Sequence, residues 1–151
     1  MPIRCEIVSQ DRVVYSGDAD IVIIPGVMGE MGILPNHEPL LSTLQYGILK
    51  VRYQGHEEVF TVTGGIVEIQ PDRVTVLANA AENVEEINIA RAEAAKKRAE
   101  EFIKLGVPAD TDQYLAMEAA LRRSNLRLEA VKRYRRERPS YIHKIGEGES
   151  E

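Results

Sequence analysis

Residues 73–95 read Arg73-Val74-Thr75-Val76-Leu77-Ala78, then Asn79-Ala80-Ala81-Glu82-Asn83-Val84, then Glu85-Glu86-Ile87-Asn88-Ile89-Ala90-Arg91-Ala92-Glu93-Ala94-Ala95. The first six alternate and are rich in β-branched side chains, the pattern of a half-buried strand. Near residue 82 the period changes. From Glu85 onward there is no glycine until Gly106, and alanine becomes dense. Glu85 and Glu86 suit the positive end of a helix dipole. The stretch is therefore a border between a β region and a helical one.

Toward the N-terminus the strand pattern repeats. Ile3 to Val8, Val13 to Tyr15, Ala19 to Ile24, Tyr46 to Tyr53, Val59 to Thr63, Ile66 to Ile69 and Arg73 to Ala78 read as short strands. They are separated by Pro25-Gly26, Pro35-Asn36, Gln54-Gly55-His56, Gly64-Gly65 and Gln70-Pro71-Asp72. Many short strands joined by glycine and proline turns indicate a sandwich or barrel. Gly26 to Gly32 has spaced glycines but does not match a dinucleotide-binding fingerprint, and a sharp β turn accounts for it.

Toward the C-terminus the reading is two helices. Gly106 and Pro108 mark the first stop, Asp110 or Thr111 can cap a second helix, and Pro139 follows about Arg138. The short link favours an antiparallel pair. Ile87, Ala90, Ala94 and Phe102 can share a face of the first helix. Ala120, Leu121, Ser124, Leu128 and Val131 can share one of the second. Such small side chains bury little area, so the hairpin is expected to be held weakly. The expected organisation is a β domain over 1–84, a helical hairpin over 85–138 and a polar tail over 139–151.

Composition narrows the function classes. The chain has 151 residues, 44% hydrophobic and 28% charged, a globular balance. No apolar run approaches the roughly 20 residues of a membrane span. No secretory signal pattern opens the sequence, so the protein is expected to stay on the side where it is made. Cys5 is the one cysteine, and His37, His56 and His143 share no ligand spacing with it. A metal site is not expected, and Cys5 is expected to be a buried small apolar residue. No phosphate loop, nucleophile elbow or paired-histidine helix is present, so catalysis by this chain is not expected.

Charge is uneven. Residues 1–84 carry five basic and eleven acidic side chains, whereas Leu121 to Arg138 carries eight basic and two acidic ones. A basic stripe on an acidic protein points to an acidic partner, either nucleic acid or an acidic protein surface. Aromatic content of 5%, a net charge of -5 and the lack of a binding signature argue against nucleic acid.

The stretch Gly29-Glu30-Met31-Gly32-Ile33-Leu34-Pro35-Asn36-His37-Glu38-Pro39-Leu40-Leu41 resembles the signature of the epsilon subunit of bacterial F-type ATP synthases. Gly47-Ile48-Leu49-Lys50-Val51, Gly64-Gly65-Ile66-Val67-Glu68-Ile69 and Arg73 to Ala78 follow at that family's spacing, and Glu85 to Glu101 resembles its alanine-rich helix. Asn36-His37-Glu38-Pro39 departs from the family's common Gly-His-Ala-Pro.

The resemblance implies an α+β fold, an antiparallel β-sandwich of about ten strands followed by an antiparallel two-helix hairpin. It implies a non-catalytic rotor subunit of the central stalk, which couples proton-driven rotation of the c-subunit ring to ATP synthesis. Its partners would be the gamma subunit, the c-ring and the alpha/beta catalytic head, with no insertion into the membrane. Its place would be the cytoplasmic face of the bacterial cell membrane, as a peripheral protein. Glu30 and His37 would lie at the c-ring contact. The helices would permit hydrolysis when docked on the sandwich and hinder it when extended along gamma. Arg122, Arg123, Arg127, Lys132, Arg133, Arg135 and Arg136 would meet acidic segments of the beta subunits. No cofactor is required, but some bacterial members bind ATP in the folded hairpin as a regulatory ligand. Glu82, Ile87, Asn88, Arg91, Ala92, Arg98, Arg123 and Arg127 match that motif, with Asn88 in place of its acid.

Overall fold

The computed structural model describes residues 1–106 and 111–135. Eight strands come first: β1 (Ile3–Val8), β2 (Val13–Ala19), β3 (Ile21–Gly26), β4 (Gly29–Ile33), β5 (Leu40–Tyr53), β6 (His56–Ile69), β7 (Arg73–Ala78) and β8 (Ala81–Asn83). A 3-10 turn (Val84–Glu86), α1 (Ile89–Lys104) and α2 (Thr111–Tyr134) follow. The strands run in the order β2-β1-β7-β6-β5-β3-β4, and β8 also pairs with β6.

The long β5–β6 hairpin bends this ladder into the two layers of a sandwich. β6 pairs with β8 through Phe60 to Val62 and with β7 through Gly65 to Ile69. At this change of partner lie Gly64 and Gly65, at φ +86° and +127°. A side chain at Gly65 would sit 2.2 Å from the Leu77 carbonyl oxygen. Only glycine fits both the backbone angle and that approach. The glycine pair is thus a bend inside one strand, not the break between two that its sequence indicates. That merger takes one strand from the count, and eight strands are seen where the resemblance implies about ten. Two further differences are plain. Gly29–Ile33, read as a turn, is a strand paired with β3. The sheet is antiparallel except for β1 and β7, which run parallel with Cys5 opposite Val74.

The core follows from alternation. Ile3, Cys5 and Ile7 of β1 and Val74 and Val76 of β7 point inward, each fully buried. They meet Val22, Ile24, Leu49, Phe60 and Val62 in one cluster. The Tyr15 ring packs edge-on against Phe60, 5.7 Å between centroids. Burial, with the Glu6 carboxylate adding to it against the opposing Arg4, pushes the Cys5 thiol up to about 12. At neutral pH it is a protonated apolar residue of the core, with neither the exposure nor the thiolate of a nucleophile.

The helices pack differently from their sequence reading. Asn88 is the N-cap of α1 and accepts from the Arg91 amide at 3.0 Å, so the helix begins at Ile89. Glu85 and Glu86 lie in the 3-10 turn, which Asn83 caps by accepting from Glu85 N at 2.9 Å. The inward face of α1 holds Ala92 and Ala99, while Ala90 and Ala94 are exposed. A periodicity started at Ile87 begins before the helix does and gives the wrong phase. On α2 the fully buried residues are Ser124 and Ala130. Ser124 donates to the Ala120 carbonyl at 2.8 Å, satisfying its hydroxyl within the helix. The expected boundary at Arg138, Asp110 as a cap, and the tail lie outside the described residues.

Candidate functional site

Two features qualify as sites, one between the helices and the sandwich and one on the sheet's outer face. The first is a cleft of 440 Å³ lined by Glu82, Glu86, Ile87, Asn88, Arg91, Ala92, Ala94, Ala95, Arg98 and Arg127. Seven of the eight residues matched to the nucleotide motif meet here, from three separate elements. Arg123, the eighth, is half-buried and does not line the cleft. Glu86, Ala94 and Ala95 were not anticipated. Ala94 and Ala95 lie on α1 beside Arg91 and Arg98, and the helical repeat alone brings them into the wall.

The cleft combines cations with a helix N-terminus. Arg91, Arg98 and Arg127 supply guanidinium groups, and the start of α1 supplies its dipole. One of these cations is already engaged. Arg127 is ion-paired with Glu82, its Nε donating to Oε1 at 2.6 Å. An anion entering the cleft must share Arg127 with that carboxylate or displace it. Asn88 spends its oxygen on the helix cap, leaving its amide hydrogens to donate. Aspartate in that place would cap equally well, but it would offer an entering ligand no donor.

Arg123 apart, the basic residues of α2 and Arg135 directly after it divide into two sets. Arg122 lies over the Tyr46 ring at 4.0 Å, Arg127 holds Glu82, and Arg135 donates to the Val84 and Ile87 carbonyls. These three fasten the helix to the sandwich and its link. Lys132 and Arg133 are exposed, and both line a second groove with Lys96, Asn125, Leu128 and Glu129. Arg136 lies outside the described residues. A stripe that sequence alone assigns to a partner is thus half spent on intramolecular docking.

The second feature is a row across the outer face of the sheet. Thr43, Ile66, Leu77, Val8 and Val13 are successive cross-strand partners on β5, β6, β7, β1 and β2. Ile66 is 41% exposed, Leu77 46% and Val13 62%, and Leu41, two residues before Thr43, is 68% exposed. Directly paired residues share one face, so these side chains form a continuous apolar strip. Its sequence signal was hidden because the same strands alternate into the core. At another edge, Val27 and Met28 form the exposed tip of the β3–β4 hairpin, with Glu30 exposed on β4. His37 is half-buried, and its Nδ1 lies 2.7 Å from the Glu38 carbonyl oxygen.

A sandwich bearing a two-helix appendage with an exposed apolar strip is the build of a subunit of a larger assembly. The comparisons agree. Residues 2–84 match the ATP synthase delta/epsilon chain β-sandwich domain, and residues 85–132 match that family's long α-helix domain. The chain is 44% identical over 139 residues to the ATP synthase epsilon chain of Dehalococcoides mccartyi, covering 89% of this chain and 95% of the relative. It is 51% identical over 98 residues to that of Pelotomaculum thermopropionicum, covering 65% and 73%. Among solved structures, a chain of the Euglena gracilis mitochondrial ATP synthase, OSCP/F1/c-ring, superposes with TM-score 0.69 at 26% identity, covering 85% of this chain and 80% of that one. A chain of the Tetrahymena thermophila ATP synthase central stalk and c-ring shares the fold, with TM-score 0.54 at 14% identity over 87% and 97%. The chain belongs to the delta/epsilon chain family of ATP synthases.

Proposed function

We propose that this chain is a non-catalytic rotor subunit of the central stalk, joining the gamma subunit to the c-ring and restraining hydrolysis through its helices. The observation that carries this reading is the exposed apolar strip through Leu41, Ile66, Leu77 and Val13 on the sandwich. A strip of this kind needs a partner to cover it, and gamma is the partner assigned to it here. The Val27–Met28 tip, with Glu30 beside it and His37 in the neighbouring loop, is assigned to the c-ring. The chain then sits peripherally at the cytoplasmic face of a bacterial membrane, where proton-driven rotation of the ring is passed to the head. No described helix is long and apolar enough to cross a membrane. Copurification tests the attachment: tagged full-length chain coexpressed with gamma is expected to retain it. A chain that comes away alone overturns the reading.

Regulation follows from the docked hairpin. The residues its two helices bury fully are alanines and a serine, with Phe102, Leu128 and Val131 half-buried, so apolar area contributes modestly to docking. Much of the attachment rests on Arg122, Arg127 and Arg135. The same cations, once released together with Lys132 and Arg133, can meet acidic segments of the catalytic head. Charge attraction steers that encounter and weakens with salt.

The cleft supports a second role, binding of ATP as a regulatory ligand. A triphosphate on Arg91, Arg98 and Arg127 would bridge α1 and α2 while they lie on Glu82, and so would favour the docked state. Calorimetric titration of the full chain with ATP is expected to show saturable binding that Arg98→Ala weakens about tenfold, the loss of one charge-assisted contact. A flat titration at millimolar ATP sinks the nucleotide role.

A further inference from the structure

The link between sandwich and hairpin carries a fastening that comes from the residue directly after α2. Val84 and Ile87 bury their side chains, at 1% and 4% exposure, and bracket the 3-10 turn. The C-terminal end of any helical turn leaves carbonyls without amide partners. Here only a long contact reaches one of them from within the turn, Ile87 N to the Val84 oxygen at 3.4 Å. Arg135 adds donors to two carbonyls of the link, those of Val84 and Ile87. Its Nη2 donates to the Val84 oxygen at 2.8 Å and to the Ile87 oxygen at 2.5 Å, and its Nε lies 3.3 Å from the Val84 oxygen. One planar guanidinium thus bridges both ends of the turn, from 51 and 48 residues away in sequence. The residue before it, Tyr134, lies under the Lys50 ammonium of β5, 4.7 Å from the ring centroid.

We propose that Arg135 is a clasp: it holds the 84–88 link in its turn geometry, so that the end of α2 and the link release together. A helix attached only to the sheet could peel away from its C-terminal end while the link stayed folded. A helix followed directly by a residue that donates to the link cannot, because lifting it takes the Arg135 donor from the Ile87 carbonyl and leaves the Val84 carbonyl with the long contact from Ile87 N. The fork matters here, since a lysine ammonium is a point donor on a flexible stem and does not present two spaced donors in one plane. The neighbouring charges do not cancel the clasp. Glu86 pairs outward with Arg12 at 3.6 Å, and Glu82 is held by Arg127. The purpose of the clasp rests on the regulatory reading above, whereas its existence is a property of the free chain.

Amide hydrogen exchange on the full-length chain tests it, comparing the parent with Arg135→Met and with Arg133→Met as a control. Methionine keeps the stem and removes the donors. In Arg135→Met, amides of 84–92 and of the second half of α2 are expected to exchange at least about tenfold faster, together, with β1 and β7 unchanged. Arg133→Met is expected to leave the link as it was. Acceleration confined to the last turn of α2, or equal in the two variants, overturns the clasp. Arg135→Lys is expected to fall between parent and methionine, and a lysine that protects the link fully removes the case for a bridging fork. Hydrolysis by the assembled head separates the two claims. Faster exchange in Arg135→Met with unchanged hydrolysis overturns the regulatory reading and leaves the clasp standing.

Discussion

Leu77→Asp is expected to leave the sandwich folded and to lower affinity for gamma by about a hundredfold or more, the scale of an interface anchor. Leu77 is 46% exposed, and its β7 neighbours Val76 and Ala78 point into the core. A carboxylate there stays solvated in the free chain, so the fold loses little beyond a strand-propensity term of about 1 kcal/mol. In the complex the same carboxylate would be sealed against an apolar partner with no counter-charge, which is costly. A double variant with Ile66→Asp would confuse the result, because Ile66 and Leu77 are paired directly and two carboxylates there repel. Met28→Asp is the control. Met28 is 96% exposed at the β3–β4 tip, away from the strip, and is expected to leave gamma binding intact. Gamma binding that survives Leu77→Asp would show that the strip is not the attachment surface.

Much of this architecture is legible in the residues themselves. Alternation placed β1, β7 and the ends of β5 and β6, because a half-buried strand writes its two faces into the sequence. The change of period near residue 82 announced the helices. What stayed hidden had physical causes. Gly64-Gly65 looks like a terminator, but it supplies positive φ where β6 changes partners, and no local pattern separates those uses. Gly29–Ile33 carries too few β-branched residues to read as a strand and is held there by β3. The phase of α1 is set by the Asn88 cap, one residue before the helix, rather than by the first apolar residue in view.

The candidate sites divide in the same way. The residues of the cleft were found through their likeness to a motif, and the fold brings seven of them to one wall. The dual use of the α2 cations was not legible. Arg122, Arg127 and Arg135 look like any other exposed arginines until Tyr46, Glu82 and the link carbonyls are placed opposite them. The apolar strip was equally invisible, since it exists only once five strands are in register.

The central claim is a division of labour, with attachment in the sandwich and restraint in the helices. The buried core cluster lies wholly between Ile3 and Ala81, so a chain ending at Val84 keeps every residue that closes the sandwich. It also keeps the strip, and it loses every α2 cation. The decisive measurement is ATP hydrolysis by the purified synthase head, carrying either the full chain or residues 1–84. The expected result is a several-fold rise in hydrolysis with the short chain while it still binds gamma, the size of effect that releasing about 1–2 kcal/mol of restraint gives. Hydrolysis that does not change, with gamma still bound, would contradict the account and leave the hairpin without a restraining role.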